Sequence, residues 1–273
     1  MALFVNTNLA ALNAQRHLEG SSASLRTALE RLSSGLRIND AYDDAAGLAI
    51  ADRLGRDVRV ATQAIRNAND GLSALSIGEK ALGNATDILT RLSELASQSA
   101  SGLVSNTQRS AIQAEFTALV SELDRISNAS TFNGVQLLSA GTSVTVQVGL
   151  DGTSNSQISF STVDGSSSGI GLTGVAVSTQ AAAQSALGSL VSAIANVAQT
   201  RGTLGAYESR FITAISNLRV AVENFSAAES RIRDADVAVE TARLTRASIL
   251  QQAGVAVLAQ ANQQPAVALS LLR

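Results

Sequence analysis

Leu18, Leu25 and Leu32 stand seven residues apart, with Leu29 and Leu36 in the alternate places, and a comparable spacing returns near the other end of the chain. Apolar residues at that period make a narrow stripe on one side of a helix, and such a helix is buried by packing against a partner helix. The pattern therefore predicts a mainly α fold in which long helices from the two ends pair as a coiled coil. Only one proline occurs in 273 residues, so little interrupts a helix. Aromatics are 3% and tryptophan is absent, which leaves packing to small and aliphatic side chains.

The first seam runs to Gly35. From there to Asp44 the residues Asn39, Asp40, Asp43 and Asp44 predict a bend whose acids suit the positive end of a following helix. That helix is predicted from Ala45 to about Ala100, on Leu75, Leu82 and Leu89 with Leu72, Leu92 and Leu95 beside them. SNTQ at 105–108 has the form of a capping box. Ile112, Phe116, Leu119, Leu123 and Ile126 follow at spacings alternating between four and three, which predicts a third helix. Asn, Ser and Gly at 127–134 supply turn chemistry at its end.

Composition then changes. Val144, Val146, Val148 and Leu150 alternate with polar residues, DGTSNS follows, and Ile158 and Phe160 alternate again, which reads as a β-hairpin. Ser and Gly dominate as far as Gly174, so the segment from about 142 to 174 is expected to have little core of its own and to sit outermost or in a loop. Helix is predicted again from near Gln180. Phe211, Ile215, Leu218, Val222, Phe225, Ile232 and Val239 hold a heptad register interrupted only by Glu229 and Asp236, and Leu250 and Val257 are taken as further stripe positions. Pro265 is expected to kink or stop the last helix, and Leu269, Leu271 and Leu272 to leave an apolar tip.

A stripe of this kind is costly to leave alone. Burying one leucine is worth about 1.5–3 kcal/mol, against about 1–2 kcal/mol per residue for ordering the backbone. Terminal helices with one apolar face are therefore expected to fray in an isolated chain and to fold together on assembly.

Other classes of function find little support. A formal charge of −2 and a pI near 5.5 give no basic footprint for nucleic acid and no cationic face for lipid. Cysteine is absent, so neither disulfides nor thiolate metal sites are expected. The opening residues do not read as a cleavable signal, and no apolar run is read as reaching membrane-spanning length. His17 is the only histidine and is read as a solvated side chain without metal or catalytic partners. Asp43 with Asp44, and Asp234 with Asp236 and Glu240, lie near arginines or helix starts and read as caps and ion pairs. No nucleophile, base and orienting group converge on any motif, so no enzyme and no cofactor are expected.

Text at both ends of the chain resembles bacterial flagellin, the subunit of the flagellar filament. At the amino end it is LERLSSGLRINDAYDDAAGLAIADRL from Leu29 to Leu54 and QAIRNANDGLSAL from Gln63 to Leu75. At the carboxyl end it is SRIRDADVAVETARLTRASILQQAGVAVLAQANQQPAVALSLLR from Ser230. The resemblance covers about half the chain, at both ends and in the right order.

It implies that residues 1–44 and 234–273 form an inner coiled coil lining a central channel, with Leu18, Leu25, Leu29, Leu32, Leu36, Ile232, Val239, Leu250 and Val257 as assembly positions. Residues 45–233 would form a surrounding helical rod that carries the short hairpin in place of the large outer domains of longer flagellins. The partners implied are further copies of the chain, the flagellar export apparatus with an export chaperone, the filament cap and the hook-junction proteins. Export through that apparatus would place the protein in the extracellular filament. A patch resembling that read by the host Toll-like receptor for flagellin spans TRLSELASQ at 90–98 and IQAEF, so Arg91, Leu95 and Glu115 are implied as contacts, beside their plain role in helix packing.

Two rival readings share some features. A hook-to-filament junction protein has similar helical ends but diverges in the quoted text. The signalling rod of a chemoreceptor is also heptad-based, but calls for membrane spans and a helical tip where this chain has a hairpin. Ser and Thr between Thr153 and Ser168 are candidate sugar acceptors, although solubility alone explains that composition.

Overall fold

The computed structural model describes residues 7–139 and 141–270, the last seven of these as backbone only. In chain order the helices are α1 (Leu9–Ser34), α2 (Ala45–Ala100), α3 (Asn106–Ala129), α4 (Gln180–Arg233) and α5 (Val237–Ser270). Between α3 and α4 lie the strands β1 (Thr131–Phe132), β2 (Val135–Gln136), β3 (Ser143–Gln147) and β4 (Gln157–Ser161). The fold is mainly α, and the chain divides into two compact units, residues 1–56 with 224–273 and residues 57–223.

In the first unit α1 and α5 pack antiparallel along heptad seams. On α1 the buried or half-buried positions include Ala11, Ala14, Leu18, Ser21, Leu25, Ala28 and Leu32. On α5 they include Glu240, Leu244, Ala247, Gln251, Gly254, Leu258 and Ala261, again alternating between spacings of three and four. Leucines on one helix meet small residues on the other, as where Leu18 Cδ1 lies against Gly254. Cross-links follow the seam in order: Asn8 Nδ2 donates to the Ala261 carbonyl at 2.8 Å, Gln251 Nε2 to Ser22 Oγ at 3.4 Å, and Arg31 pairs with Glu240 at 3.4 Å.

Both helical breaks of this unit have local causes. Gly35 ends α1 at φ 74°, a left-handed conformation suited to a residue without Cβ, and its N–H donates to the Arg31 carbonyl at 2.9 Å. Asp44 Oδ1 accepts the Gly47 N–H at 2.8 Å at the start of α2. Asp236 Oδ1 accepts the N–H groups of Ala238 and Val239 at the start of α5. The two breaks clasp one another through an antiparallel bridge between Leu36 and Asp234, in which Arg37 N–H donates to the Arg233 carbonyl at 2.6 Å and Ala235 N–H to the Gly35 carbonyl at 2.9 Å.

The second unit is a helical core closed by a hairpin. Leu75, Leu82, Leu89, Leu92 and Leu95 of α2, Phe116 and Leu123 of α3, and Leu190, Val197 and Phe211 of α4 are all buried together. The predicted capping box is present, since Ser105 Oγ accepts the Gln108 N–H and Gln108 Oε1 accepts the Ser105 N–H. Asn133 and Gly134, both at positive φ, turn β1 into β2. β3 and β4 pair antiparallel from Ser143 opposite Ser161 to Gln147 opposite Gln157, as the alternation of valines predicts.

The Ser/Gly-rich stretch is irregular from 162 to 174, as expected of a loop, and is tied to the helical core, because Ile158, Phe160, Ile170, Leu172 and Val177 are buried and Asp124 accepts both the N–H and the hydroxyl of Ser167. A few well-placed apolar residues suffice when the serines and glycines between them only make turns. Three expectations need correction. The single register from Phe211 to Val239 is broken at 234–236, where Asp236 opens a new helix. α5 runs through Pro265 to Ser270, so the proline does not stop it. Finally, α4 contains an 18-residue window of mean hydropathy 1.3, apolar enough by composition to cross a bilayer. Its Ala183, Ala186, Leu190, Ala193 and Val197 pack into the second unit, although only 28% of that window is buried. Leu269, whose side chain is not described, and Leu271 and Leu272 lie outside what can be compared.

Candidate assembly surface

Pairing α1 with α5 leaves much of their apolar surface in water. Leu9, Leu12 and Leu29 on α1 and Val237, Val239, Ile249, Leu250, Val255 and Val257 on α5 are all between 46% and 61% exposed. They are branched aliphatic side chains, and covering a half-exposed one gains about 1 kcal/mol. Several on two adjacent helices form a surface that calls for a protein partner rather than a small ligand.

The nine expected assembly positions divide between the seam and that surface. Leu18, Leu25 and Leu32 lie in the α1 seam, half-buried against α5. Leu36 and Ile232 are half-buried at the clasp of the two breaks. Leu29, Val239, Leu250 and Val257 are about half exposed and lie outside the seam, Leu250 on the wall of a groove between the two helices. The α5 seam itself, from Glu240 to Ala261, escaped the sequence reading because most of its residues are small or polar. Its signal is the alternating spacing of three and four, legible only once small residues are allowed as stripe positions.

Electrostatics concentrate where α1, the bend and α5 meet. Arg31 bridges Asp43 and Glu240, each at 3.4 Å, and Arg243 holds the same Glu240 at 2.8 Å. Glu240 is thus a buried carboxylate with two guanidinium partners. Backbone N–H bonds from Asn39 and Asp40, with the Arg31 charge, hold the Asp43 carboxyl below its ordinary pKa, the Asn39 bond contributing most and burial opposing it. His17 is exposed beside this region, at the edge of a groove between α1 and α5. Among the described residues no three His, Cys, Asp or Glu side chains are gathered to hold a metal ion.

The expected receptor patch is only partly presented. Arg91 on α2 reaches Glu115 on α3 at 2.8 Å and Glu94 at 2.8 Å, and both Arg91 and Glu115 are about half exposed. Leu95 is 2% exposed and packs into the core of the second unit, so the expectation that its side chain meets a receptor is corrected. It belongs to the inward stripe of Leu89 and Leu92.

Comparison with known proteins places this architecture in a family. The profile of the bacterial flagellin N-terminal helical region matches residues 5–143, and that of the bacterial flagellin C-terminal helical region matches residues 187–272. A flagellin of Halalkalibacterium halodurans is 41% identical over 272 residues, covering 99% of this chain and all of that protein. The flagellar filament 33 kDa core protein of Treponema phagedenis is 37% identical over 286 residues, covering 99% of this chain and all of its own. The crystal structure of Bacillus cereus flagellin superposes with a TM-score of 0.51 at 27% identity, over 56% of this chain and 88% of that one. The chain belongs to the bacterial flagellin family.

Proposed function

We infer that this chain is a structural subunit that polymerises into the bacterial flagellar filament and so serves swimming motility. The observation that carries the reading is the aliphatic surface left open on α1 and α5 once they have paired, in a chain whose flagellin relatives match it end to end. Copies of the same chain are the partner that such a surface fits, because assembly then buries in every subunit what each alone leaves in water.

In this reading residues 1–44 and 234–273 form the inner coiled coil around the channel and residues 45–233 the surrounding rod. Leu18, Leu25 and Leu32 hold α1 to α5, Leu36 and Ile232 brace the joint, and Leu29, Val239, Leu250 and Val257 meet neighbouring copies. The family implies delivery by the flagellar export apparatus with an export chaperone, and contact with the filament cap and hook-junction proteins at the ends of the polymer, outside the cell. Recognition by the host Toll-like receptor for flagellin would rest on Arg91 and Glu115, exposed on adjacent helices.

Seeded polymerisation of the purified chain, followed by electron microscopy, tests the main reading. Filaments are the expected product, and a chain that stays as soluble dimers under seeding would reject it. Replacing Leu29, Leu250 and Val257 with serine should abolish filaments without unfolding residues 57–223. A reporter-cell assay with monomer tests the receptor reading, and a complete lack of signal would remove that partner.

A further inference from the structure

A groove of about 720 Å³ runs between α1 and α5, and its charge is lopsided. Arg16, Arg31, Arg243 and Arg246 line it, with Glu240 the one carboxylate among its lining residues and Ala247 and Leu250 supplying apolar wall. Arg31 and Arg243 already share Glu240. Among the described residues Arg246 has no hydrogen-bond or ion-pair partner, and Arg16 bonds the neutral side chain of Asn13. The site therefore offers unneutralised guanidinium groups beside an aliphatic surface.

The same unit carries the opposite feature nearby. In the bend between α1 and α2, Tyr42 is 75% exposed, in a chain with two tyrosines and six phenylalanines. Two residues before it Asp40 is exposed, and among the described residues its carboxylate has no hydrogen-bond or ion-pair partner. The bend is not loose, because Asp43 accepts the N–H groups of Asn39 and Asp40 and pairs with Arg31, which fixes the turn and leaves Asp40 and Tyr42 projecting from it. A rigid turn bearing an aromatic ring and an acid is a good anchor for a cavity, and guanidinium groups take both, the acid by ion pairing and the ring face by cation–π contact.

We propose that the turn Asn39–Asp43 of one copy seats in the α1–α5 groove of a second copy, with Asp40 meeting Arg246 and the Tyr42 ring lying between Arg243 and Leu250. The inference rests on the self-polymerisation reading and assigns it a specific contact. Turn and groove are different patches of one chain, so the contact is heterologous and repeats without closing, as an open filament requires. Its charged component gives direction and register to an otherwise aliphatic interface, which alone would slide.

The chain has no cysteine, which makes cross-linking a clean test. Full-length Asp40→Cys and Arg246→Cys copies are mixed, polymerised on seeds and oxidised. Covalent dimers joining the two variants are expected in polymer and not in dilute monomer. In parallel, Arg246→Asp should raise the critical concentration for polymerisation by about tenfold, and adding Asp40→Arg to it should restore most of the loss. Both positions are exposed on the surface, and circular dichroism verifies that each variant keeps the parent fold. If the parent polymerises but Arg246→Asp does so equally well, or the charge swap rescues nothing, the contact is wrong while the general reading stands. Cross-linking of Arg246→Cys to Glu30→Cys instead would make the neighbour's α1 the occupant and overturn the assignment to the turn. A parent that never polymerises defeats both readings together.

Discussion

The ring of Phe211 lies directly on the backbone of Gly71, so close that a Cβ on that glycine would stand 2.9 Å from Phe211 Cζ and 3.0 Å from its Cε1. Phe211 is fully buried, with Phe160 edge-on to it at 6.4 Å between centroids, and Val146 Cγ2 closes the other side at 3.3 Å from the same Cβ position. The ring has nowhere to move. Gly71→Ala adds helix propensity worth about 1 kcal/mol but overpacks the core at a cost of about 1–3 kcal/mol, so the clash prevails. Thermal unfolding of residues 57–223 should shift down by a few degrees. An unchanged or raised midpoint would mean that the ring yields more easily than its surroundings allow.

Gly254 gives the opposite sign with the same substitution. A Cβ there would stand 3.4 Å from Leu18 Cδ1, an ordinary contact, so Gly254→Ala should gain most of the helix propensity of about 1 kcal/mol and strengthen the α1–α5 pair. Gly254→Leu extends several atoms into the same space and should weaken it by about 1–3 kcal/mol. Melting temperatures of assembled filaments report the pair, and the expected order is alanine above parent above leucine.

Arg109 is a buried cation whose donors meet the end of α2. Its Nε donates to the Ser99 carbonyl at 2.9 Å and its Nη2 to the Ser101 carbonyl at 2.8 Å, while Nη1 reaches Asn106 Oδ1 at 3.1 Å. The last carbonyls of a helix lack internal partners, and here the next helix supplies them. Arg109→Met keeps the stem but leaves the Ser99 carbonyl without its partner, while the Ser101 carbonyl still accepts the Val104 N–H at 3.3 Å, and it should destabilise the second unit by about 1–3 kcal/mol. Arg109→Lys should recover little, because an ammonium cannot reproduce the fork. Denaturant midpoints of the three proteins test the order.

Much of this was legible beforehand where the determinant is local. Gly35, Asp44 and the Ser105–Gln108 pair mark helix ends because each acts on backbone groups a few residues away. The hairpin was legible because Val144 and Val146 face Phe160 and Ile158 across it. Tertiary choices were less accessible. The side of α5 facing α1 is set by leucines on α1, which select small partners such as Ala247, Gly254 and Ala261 and leave Val239, Leu250 and Val257 outside the seam. Ile170, Leu172 and Val177 are too few to create a periodicity, yet they pin the Ser/Gly stretch to the core. For Leu95 the period did point inward, and only the resemblance placed it on the surface.

Asp43 should make the joint sensitive to acid. Its folded pKa lies below the ordinary aspartate value chiefly through the Asn39 N–H bond, with Asp40 and Arg31 adding to it against burial. A depressed carboxyl stabilises the folded form fully above its unfolded pKa, and that contribution is lost as pH falls through the lower folded value. NMR titration of the Asp43 carboxyl should give a midpoint below that of an exposed aspartate. Asp43→Asn should destabilise the joint near neutral pH and matter little once the pH is below both values. Equal effects of Asp43→Asn at pH 7 and in strong acid would show that shape, not charge, holds the turn.

The most consequential expectation concerns the ends themselves. In the seams Leu18, Leu25, Leu32, Leu244 and Leu258 are only half-buried and most other positions are small, such as Ala14, Ala28 and Gly254, while ordering the backbone costs about 1–2 kcal/mol for each residue fixed. Two helices so paired, with Leu9, Leu29, Ile249 and Val255 still in water, are not expected to recover that cost alone, whereas the core around Leu75, Phe116 and Phe211 is complete within one chain. Folding of α1 and α5 should therefore be coupled to polymerisation, with the covering of Leu9, Ile249 and Val255 on assembly supplying the difference. Circular dichroism of dilute monomer should show less helix than filament at equal chain concentration. Amide exchange should be fast in α1 and α5 of the monomer and slow in the filament, while residues 57–223 remain protected in both. Protection of α1 in dilute monomer as strong as that of α3 would mean that the small-residue seam is sufficient without neighbours.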